Sequence, residues 1–510
     1  MEKRAVITAV AAVATICPVA VASSLASAAP VRAGATIEHD VHFVSSARHA
    51  RRASSHKCVV RRRRSRAHRA ICASQSRATR LTYTRRHHPG GTRTGTKSGS
   101  TTTTTTTTTT GGTTGTTTGG TTGGTTGTPT GTTTGGTPVL SLAALSPYSA
   151  QISWPSVPGA ATVEVYNGST LIDEFPASSN DSYTVRELWP ATSDTFTVKL
   201  LSGSGTSVGS FTGTTVTLPQ TSAFPRLYAG SAFINTPVSG SPSLDASSSG
   251  MVSNALVAHQ GSANFADSNA WGIPIVSADT QSRSYSVGCL YYFCNVAFAP
   301  VHIPTLAQPN AGSDGHLAVL QPDGSEMDMW LGQNTASGWT SGERWLESAS
   351  GPAANCTTYY GCGGADAAGF ALGAGMVRPE EIAQGHIDHA LIITTPYTRS
   401  GYTACPAEGS DGKNASANAL PMGAHVQLDP SIDVAALNIP AWQKVLATAL
   451  QRYGAYVGDT GGSLAVEAQA NLGRPGYDAW AKAGVSSDSP SLSDLPWSSM
   501  RVLSMTQCGA

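Results

Sequence analysis

The sequence predicts a mainly β protein in which a small β-sandwich precedes a larger, jelly-roll-like one carrying a few helices, behind a disordered N-terminal third. Three observations predict this. Only 12% of the 510 residues are charged while glycine reaches 54, a composition suited to strands and turns. From about residue 138, short runs of alternating polarity recur between turn dipeptides. Residues 29–137 hold no sustained apolar period that could build a core. A membrane bundle, a coiled coil and an ordinary helix-rich cytosolic enzyme are excluded.

The formal net charge of +1 hides a division along the chain. Arg48 to Lys97 holds sixteen Lys and Arg and no acid, whereas from Ser98 onward thirteen Lys and Arg face twenty-eight Asp and Glu, a net of −15. The first residues have the form of an export signal at 1–28. Lys3 and Arg4 precede an apolar run from Ala5 to Ala22, and Ala26-Ser27-Ala28 offers a small-x-small cleavage site. A retained membrane anchor is the weaker reading, because the run is Ala-rich and interrupted by Pro18. Nine cysteines become eight once Cys17 leaves with the signal, and an even number in an exported chain favours disulfides over metal ligation. Pairing of neighbours would join Cys58 with Cys72, Cys289 with Cys294, Cys356 with Cys362, and Cys405 with Cys508; eight cysteines allow 105 connectivities.

The basic segment at 29–97, with Arg61 to Arg64 at its centre, suits contact with polyanions such as acidic wall polymers or anionic head groups. From Thr101 to Thr137 only Thr, Gly and Pro129 occur, so residues 98–137 read as a linker. Some forty such residues would average roughly 35 Å end to end.

Residues 138–218 alternate as strands do, with Ala150, Ile152 and Trp154 opposite Ser149, Gln151 and Ser153, and Asn167-Gly168 closes a hairpin. This stretch resembles a fibronectin type III module. Trp154 stands where that family has its early core tryptophan, and Leu188-Trp189-Pro190-Ala191-Thr192 is similar to its Leu-x-Pro-x-Thr turn. Asp194 replaces the corner tyrosine. Such modules serve as spacers or as carbohydrate- or protein-facing accessories.

Residues 219–510 read as one large β-rich domain. His316 to Leu320 and Met327 to Trp330 should form a hairpin about Pro322-Asp323-Gly324, and His389 to Ile393 and Ala424 to Leu428 are further strands. A short helix should start at Arg378-Pro379-Glu380-Glu381, and a longer one should run from about Ile439 to Val457.

Several constellations in this domain could carry chemistry. Asp314 and His316 share one parity at the start of a strand, and His389 starts another. If the strands are neighbours, the two imidazoles would converge as acid and base, oriented by Asp314 or Asp388. A histidine on an apolar strand face is more often a satisfied core residue. His386-x-Asp388-His389 invites a metal, but strand parity splits the set and no further ligands cluster, so no metal and no cofactor are expected. Glu326 to Leu331 is similar to the Glu-x-Asp-x-x-Glu strand of laminarinase-type glycosidases. Leu331 stands where the distal Glu would be, which makes the match accidental. Trp330 and Tyr456 are candidate substrate-binding surfaces, Tyr453 or Tyr456 a candidate proton donor, and Asp459, at a Gly-rich turn, a candidate catalytic carboxylate.

The C-terminal region as a whole resembles a broad set of exported actinobacterial and other microbial proteins. The shared elements are Asp314 to His316, Trp330, Arg378 to Glu381, Gly385 to Leu391, Leu428 to Pro430, and Ala449 to Gly454 with Asp459. The resemblance implies domain boundaries more than a reaction. Together these readings predict a monomeric, secreted or wall-associated protein whose C-terminal domain acts on extracellular polysaccharide as a lyase or glycoside hydrolase. The alternative is a non-catalytic surface adhesin or carbohydrate binder.

Overall fold

The computed structural model describes residues 139–178, 181–290, 300–348, 350–351, 353 and 364–508, with the backbone of Val59–Val60 and Ala70–Ile71. The expected export signal, the rest of the basic segment and the linker lie outside the described residues, as do Cys58, Cys72, Cys294, Cys356, Cys362 and the expected strand Ala297 to Ala299. The chain divides into two compact units, Met1–Thr125 and Thr126–Ala510. In the first, Val59–Val60 pairs antiparallel with Ala70–Ile71. The second holds the remaining sheets.

Its N-terminal part is a fibronectin-III-like sandwich. Strands Ser141–Ser146, Ser149–Ser153 and Ser182–Val185 form a three-stranded sheet. Thr170–Pro176, Thr162–Asn167, Ser193–Leu201 and Ser207–Val216 form a four-stranded one. Alternation works as the sequence requires: Ile152, Trp154, Val163, Val165, Phe196 and Val198 are buried between the sheets. Asp194, at the missing tyrosine corner, instead accepts a 2.8 Å bond from Asn167 Nδ2.

This sandwich is docked on the larger domain. The Tyr477 hydroxyl donates to the Glu187 carbonyl, Asn167 Nδ2 donates to the Pro475 carbonyl at 3.1 Å, and Thr305 N donates to Asp173 Oδ1 at 2.9 Å. Trp189 is half-buried in this seam, edge-on to Tyr477 with ring centroids 6.4 Å apart.

The larger domain contains a six-stranded sheet in the order Asn264–Ala266, Ala465–Glu467, Leu391–Thr394, Ala455–Asp459, His425–Leu428, Met500–Val502. A four-stranded sheet runs Ile275–Ser277, Leu317–Leu320, Ser325–Trp330, Glu343–Ser348. The larger sheet is mixed: Leu391–Thr394 lies parallel to Ala455–Asp459 and antiparallel to Ala465–Glu467. The Pro322-Asp323-Gly324 turn joins Leu317–Leu320 to Ser325–Trp330, with Gly324 at φ 84°. Cys405 and Cys508 are disulfide-bonded with Cα atoms 5.0 Å apart, and Cys289 is also disulfide-bonded. Among the described residues no helix is long and apolar enough to cross a membrane.

One expected helix is shorter than its apolar period suggests. It spans Ala441–Arg452, and Ala455–Asp459 is a strand. Gly454 makes the break: it adopts φ 76°, and a Cβ there would lie 2.5 Å from both His425 Nε2 and the Val426 carbonyl. Only glycine lets the chain leave the helix against the neighbouring strand. Asp459 therefore ends a strand rather than following a helix.

The hairpin strand that resembles a glycosidase motif has a different destination. Glu326 and Asp328 are fully buried on the face that also carries Ala318 and Trp345. Glu326 accepts from Tyr228 Oη at 2.5 Å and Gly373 N at 2.8 Å, and Asp328 from Leu372 N at 2.9 Å. Glu347 pairs directly across from Glu326. Burial raises all three carboxyls, and Glu326 adds to the rise of the other two. Glu347 reaches about 8. Enclosed in this way and, for Glu326 and Asp328, bonded to backbone amides or a tyrosine, these carboxyls are structural groups.

Because Glu347 stays protonated in the folded chain up to about 8 but ionises near the ordinary glutamate value once unfolded, stability falls as pH rises through that window and is level above it. Glu347→Gln is expected to flatten this decline in denaturant titrations run from pH 4.5 to 9. An unchanged slope would show that Glu347 is not the group responsible.

Candidate active site

The first group of candidate residues is linked through Asp314, which acts on His316, Asp459 and Glu467. His316 precedes Leu317–Leu320 and is 8% exposed; its backbone N donates to Asn310 Oδ1 at 3.1 Å. Its Nε2 is buried without a hydrogen-bond partner. Burial lowers the imidazole, opposed by the Asp314 carboxylate and by a bond to the Ala365 backbone, so the ring is neutral with an uncommitted nitrogen. The contact with Ala365 brings in the next residue, Asp366.

Asp366 lies over the six-stranded sheet. Its Oδ1 accepts from Phe370 N at 2.6 Å, and its Oδ2 would be 3.1 Å from a Cβ placed on Gly458. Glycine at 458 thus leaves the room that the carboxyl occupies, one residue before Asp459. Asp459 accepts from its neighbour Thr460 N at 2.6 Å, and Thr460 Oγ1 donates to Asp411 at 2.5 Å. Glu467 ends the strand Ala465–Glu467, separated from Ala455–Asp459 by Leu391–Thr394, and is the one acid in an otherwise apolar run from Leu464 to Ala468.

The electrostatics bind these residues into one site. Burial first, then Asp411 and Asp314, raises Asp459 to about 7. Burial first, then Asp459 and Asp314, raises Glu467 to about 8. Asp366 is pushed well above the carboxylate range by burial, with Glu467 and Asp459 adding to the effect. Asp314, Asp366, Asp459 and Glu467 all keep partial contact with solvent. They are largely surrounded by protein yet not sealed from solvent. Carboxyls raised to about 7 and about 8 can supply a proton donor and an acceptor near neutral pH.

The other candidates are elsewhere. His389 is 4% exposed and fully engaged: Nδ1 lies 2.8 Å from the Ala390 carbonyl and Nε2 lies 3.0 Å from Glu381 Oε1. Glu381 also accepts from Arg378 N at 2.9 Å, closing the start of helix Pro379–Gln384. Burial alone would raise Glu381; His389 and Arg378 override it and hold the carboxyl at about 2. The two histidines expected to converge stand in different sheets and have no bonding partner in common. A buried helix cap claims His389, leaving no ring nitrogen for substrate.

Asp388 points to the opposite side, in a surface cluster with His386 Nδ1 at 3.1 Å and Arg452 at 3.4 Å. Tyr453 is core, 2% exposed, with Arg452, Asp388 and Arg226 as its charged neighbours. Trp330 is half-buried and packs beside Ile275, Ala318 and Trp345. Tyr456 is buried with its ring stacked on His425, centroids 4.1 Å apart. Burial lifts the Tyr456 hydroxyl to about 12.

Of the predicted set, then, the structure brings together Asp314, His316 and Asp459, and adds Asp366 and Glu467. Glu467 had one sequence signal, a lone acid within a short apolar strand. Asp366, in Gly364-Ala365-Asp366-Ala367, had none.

The His389–Glu381–Arg378 network generates a stability prediction. His389→Ala leaves a buried carboxylate without one partner and is expected to cost about 3–5 kcal/mol in chemical unfolding at pH 7. Since Glu381 is held below its unfolded value, its contribution is complete above about pH 4.5 and is lost as pH falls toward 2. Glu381→Gln should remove that acid-dependent component; an unaltered acid limb would exclude Glu381 as its source.

No protein-family model matches the chain, and no curated protein matches it. Among solved structures it is similar to a family 28 exopolygalacturonase of Yersinia enterocolitica, with 18% identity over 16% of this chain and 20% of that one, at a TM-score of 0.15. It is also similar to the fn3 domain of the human collagen alpha-1(XX) chain, with 22% identity over 19% and 98% and a TM-score of 0.15. A pectate lyase of Pectobacterium carotovorum gives 20% identity over 18% and 30% and a TM-score of 0.14. The chain thus spans about a fifth of the polygalacturonase and under a third of the lyase.

Proposed function

We propose that the C-terminal domain is a hydrolase acting on extracellular glycan by carboxyl acid–base catalysis, with Asp459 and Glu467 as the working pair. The observation that carries the reading is the charge coupling among Asp314, Asp366, Asp459 and Glu467, which all keep partial contact with solvent while Asp459 and Glu467 are raised to about 7 and about 8. Glycosidic cleavage needs one protonated carboxyl to donate to the leaving oxygen and one ionised carboxylate to assist attack at the sugar carbon. Between about 7 and 8, Asp459 is ionised and Glu467 protonated, which assigns Asp459 the base or nucleophile role and Glu467 the acid role. Burial and Asp314 keep the pair raised, with Asp411 adding to the effect on Asp459.

Hydrolysis is favoured over elimination because the second carboxyl supplies the acid, whereas the tyrosines considered as lyase donors, Tyr453 and Tyr456, have other charged or stacking neighbours. Export to the exterior or cell wall, attachment through the basic segment and a monomeric state belong to the same proposal. They rest on the sequence pattern of the first 137 residues and on the Cys405–Cys508 bond.

The test is the purified chain against a panel of plant, fungal and bacterial polysaccharides, following reducing ends together with unsaturated-uronate absorbance. Reducing ends alone are expected, with a bell-shaped pH profile that rises through about 7 and falls through about 8. Asp459→Asn should remove the acidic limb and Glu467→Gln the alkaline limb, each lowering turnover by about 100-fold or more. Silence across the panel would assign the domain to carbohydrate binding or adhesion instead, and matching uronate absorbance would make it a lyase.

A further inference from the structure

A second concavity lies on the same sheet, built around Tyr456 and His425. It has a volume of about 390 Å³. Its walls are unusual in chemistry as a set. Ser239, Ser243, Ser504 and Thr506 contribute hydroxyl groups, and Tyr456 and His425 contribute their rings. Pro242, Leu503 and Met505 supply apolar surface. No Asp, Glu, Lys or Arg is among the described residues lining it.

The pocket is held in shape from three directions. His425 Nε2 lies 2.8 Å from the Tyr453 carbonyl, which can only accept, so that nitrogen carries the proton and Nδ1 keeps a lone pair. The stack on Tyr456, at an interplanar angle of 18°, fixes the ring plane. The segment Leu503 to Thr506 is tied down by backbone bonds from Leu503 N to His425 O at 2.9 Å, Ser504 N to Ser243 O at 2.9 Å and Cys405 N to Thr506 O at 2.8 Å. The Cys405–Cys508 disulfide then locks that segment to the strand Thr398–Ala404.

We infer that this pocket binds a neutral, polyhydroxylated ligand, a sugar unit of an uncharged glycan, at a site separate from the carboxyl cluster. An anion would find no cation there and a cation no carboxylate. A wholly apolar ligand would strip water from the hydroxyl groups without replacing their bonds. A sugar matches both parts of the wall. Its hydroxyls exchange donor and acceptor roles with Ser, Thr, Tyr and the His425 lone pair, and its C–H faces lie against Pro242, Leu503 and Met505. The inference stands on this pocket alone and does not require the proposed cleavage chemistry.

Calorimetric titration of the full chain with gluco-, manno- and xylo-hexaose, and with tri-galacturonate as the charged counterpart, tests it. At least one neutral series is expected to bind, with the uronide about tenfold weaker or more. Tyr456→Phe, which removes one hydroxyl and keeps the ring, should weaken binding by about tenfold. Ser504→Trp, on the exposed rim, should fill the pocket and abolish binding without disturbing the core. Asp459→Asn, which disables the proposed cleavage site, should bind as the wild type does. Binding of no neutral series, uronide binding as tight as the best neutral sugar, or full binding by Ser504→Trp would each overturn the inference. Loss of binding in Asp459→Asn would place the ligand at the carboxyl cluster instead.

Discussion

Two adjacent carboxylates in the first turn of a six-residue helix hold the larger domain together. Glu380 turns one way and forms a two-point pair with Arg474, Nη1 to Oε1 at 2.5 Å and Nη2 to Oε2 at 3.1 Å. Both side chains are only 2% exposed. Glu381 turns the other way, to Arg378 and His389. Buried charges persist only where partners offset the loss of water, so each glutamate fixes the position of its partners. Through Arg474 the helix is linked to the seam beneath the small sandwich, since Tyr477 three residues on donates to Glu187. Through His389 it sets the start of Leu391–Thr394, the strand that lies between the strands bearing Asp459 and Glu467.

The same chemistry explains why other acids in the domain behave differently. Glu380 and Glu381 have arginine or histidine beside them. Asp366, Asp459 and Glu467 are raised by burial first, and then by each other, Asp314 and, for Asp459, Asp411. Glu326, Asp328 and Glu347 are raised as well, but Glu326 and Asp328 are wholly enclosed and bonded to backbone amides or a tyrosine. The distinction between a structural and a chemical carboxyl here is therefore partnership combined with reach. The cluster around Asp459 combines several mutually raised carboxyls with contact to solvent.

The small sandwich also does more than separate other parts of the chain. Asp173, fully buried, accepts from Thr305 N and Oγ1 across the seam, and Ser277 Oγ donates to Glu187 at 2.6 Å. Polar groups shared across a contact in this way fix one orientation, because an alternative docking would leave them unpaired and buried. Trp189, which could have served as an exposed sugar platform, covers part of that seam.

Much of this was legible in the chain itself. Period-two alternation in residues 149–154 placed Ile152 and Trp154 inside, Pro322-Asp323-Gly324 marked its hairpin, and Arg378-Pro379-Glu380-Glu381 marked its helix. These are local signals, set by backbone sterics and by side chains a few residues apart. The same periodicity misread residues 453–457, because the apolar spacing continues past Gly454 and the reason for the break is the neighbouring strand at His425. Of the candidate site, Asp314, His316 and Asp459 could be named as suspects. Their company could not, since Asp366 and Glu467 come from segments remote in sequence. His389 and His316 have equivalent strand-entry patterns, yet one is capped by Glu381 and the other retains a free nitrogen. Sequence alone determined the strands, the turns and which residue types were available for chemistry. Tertiary structure alone decided which acids lost their counter-charges, because desolvation and charge–charge energies depend on distance through space rather than along the chain.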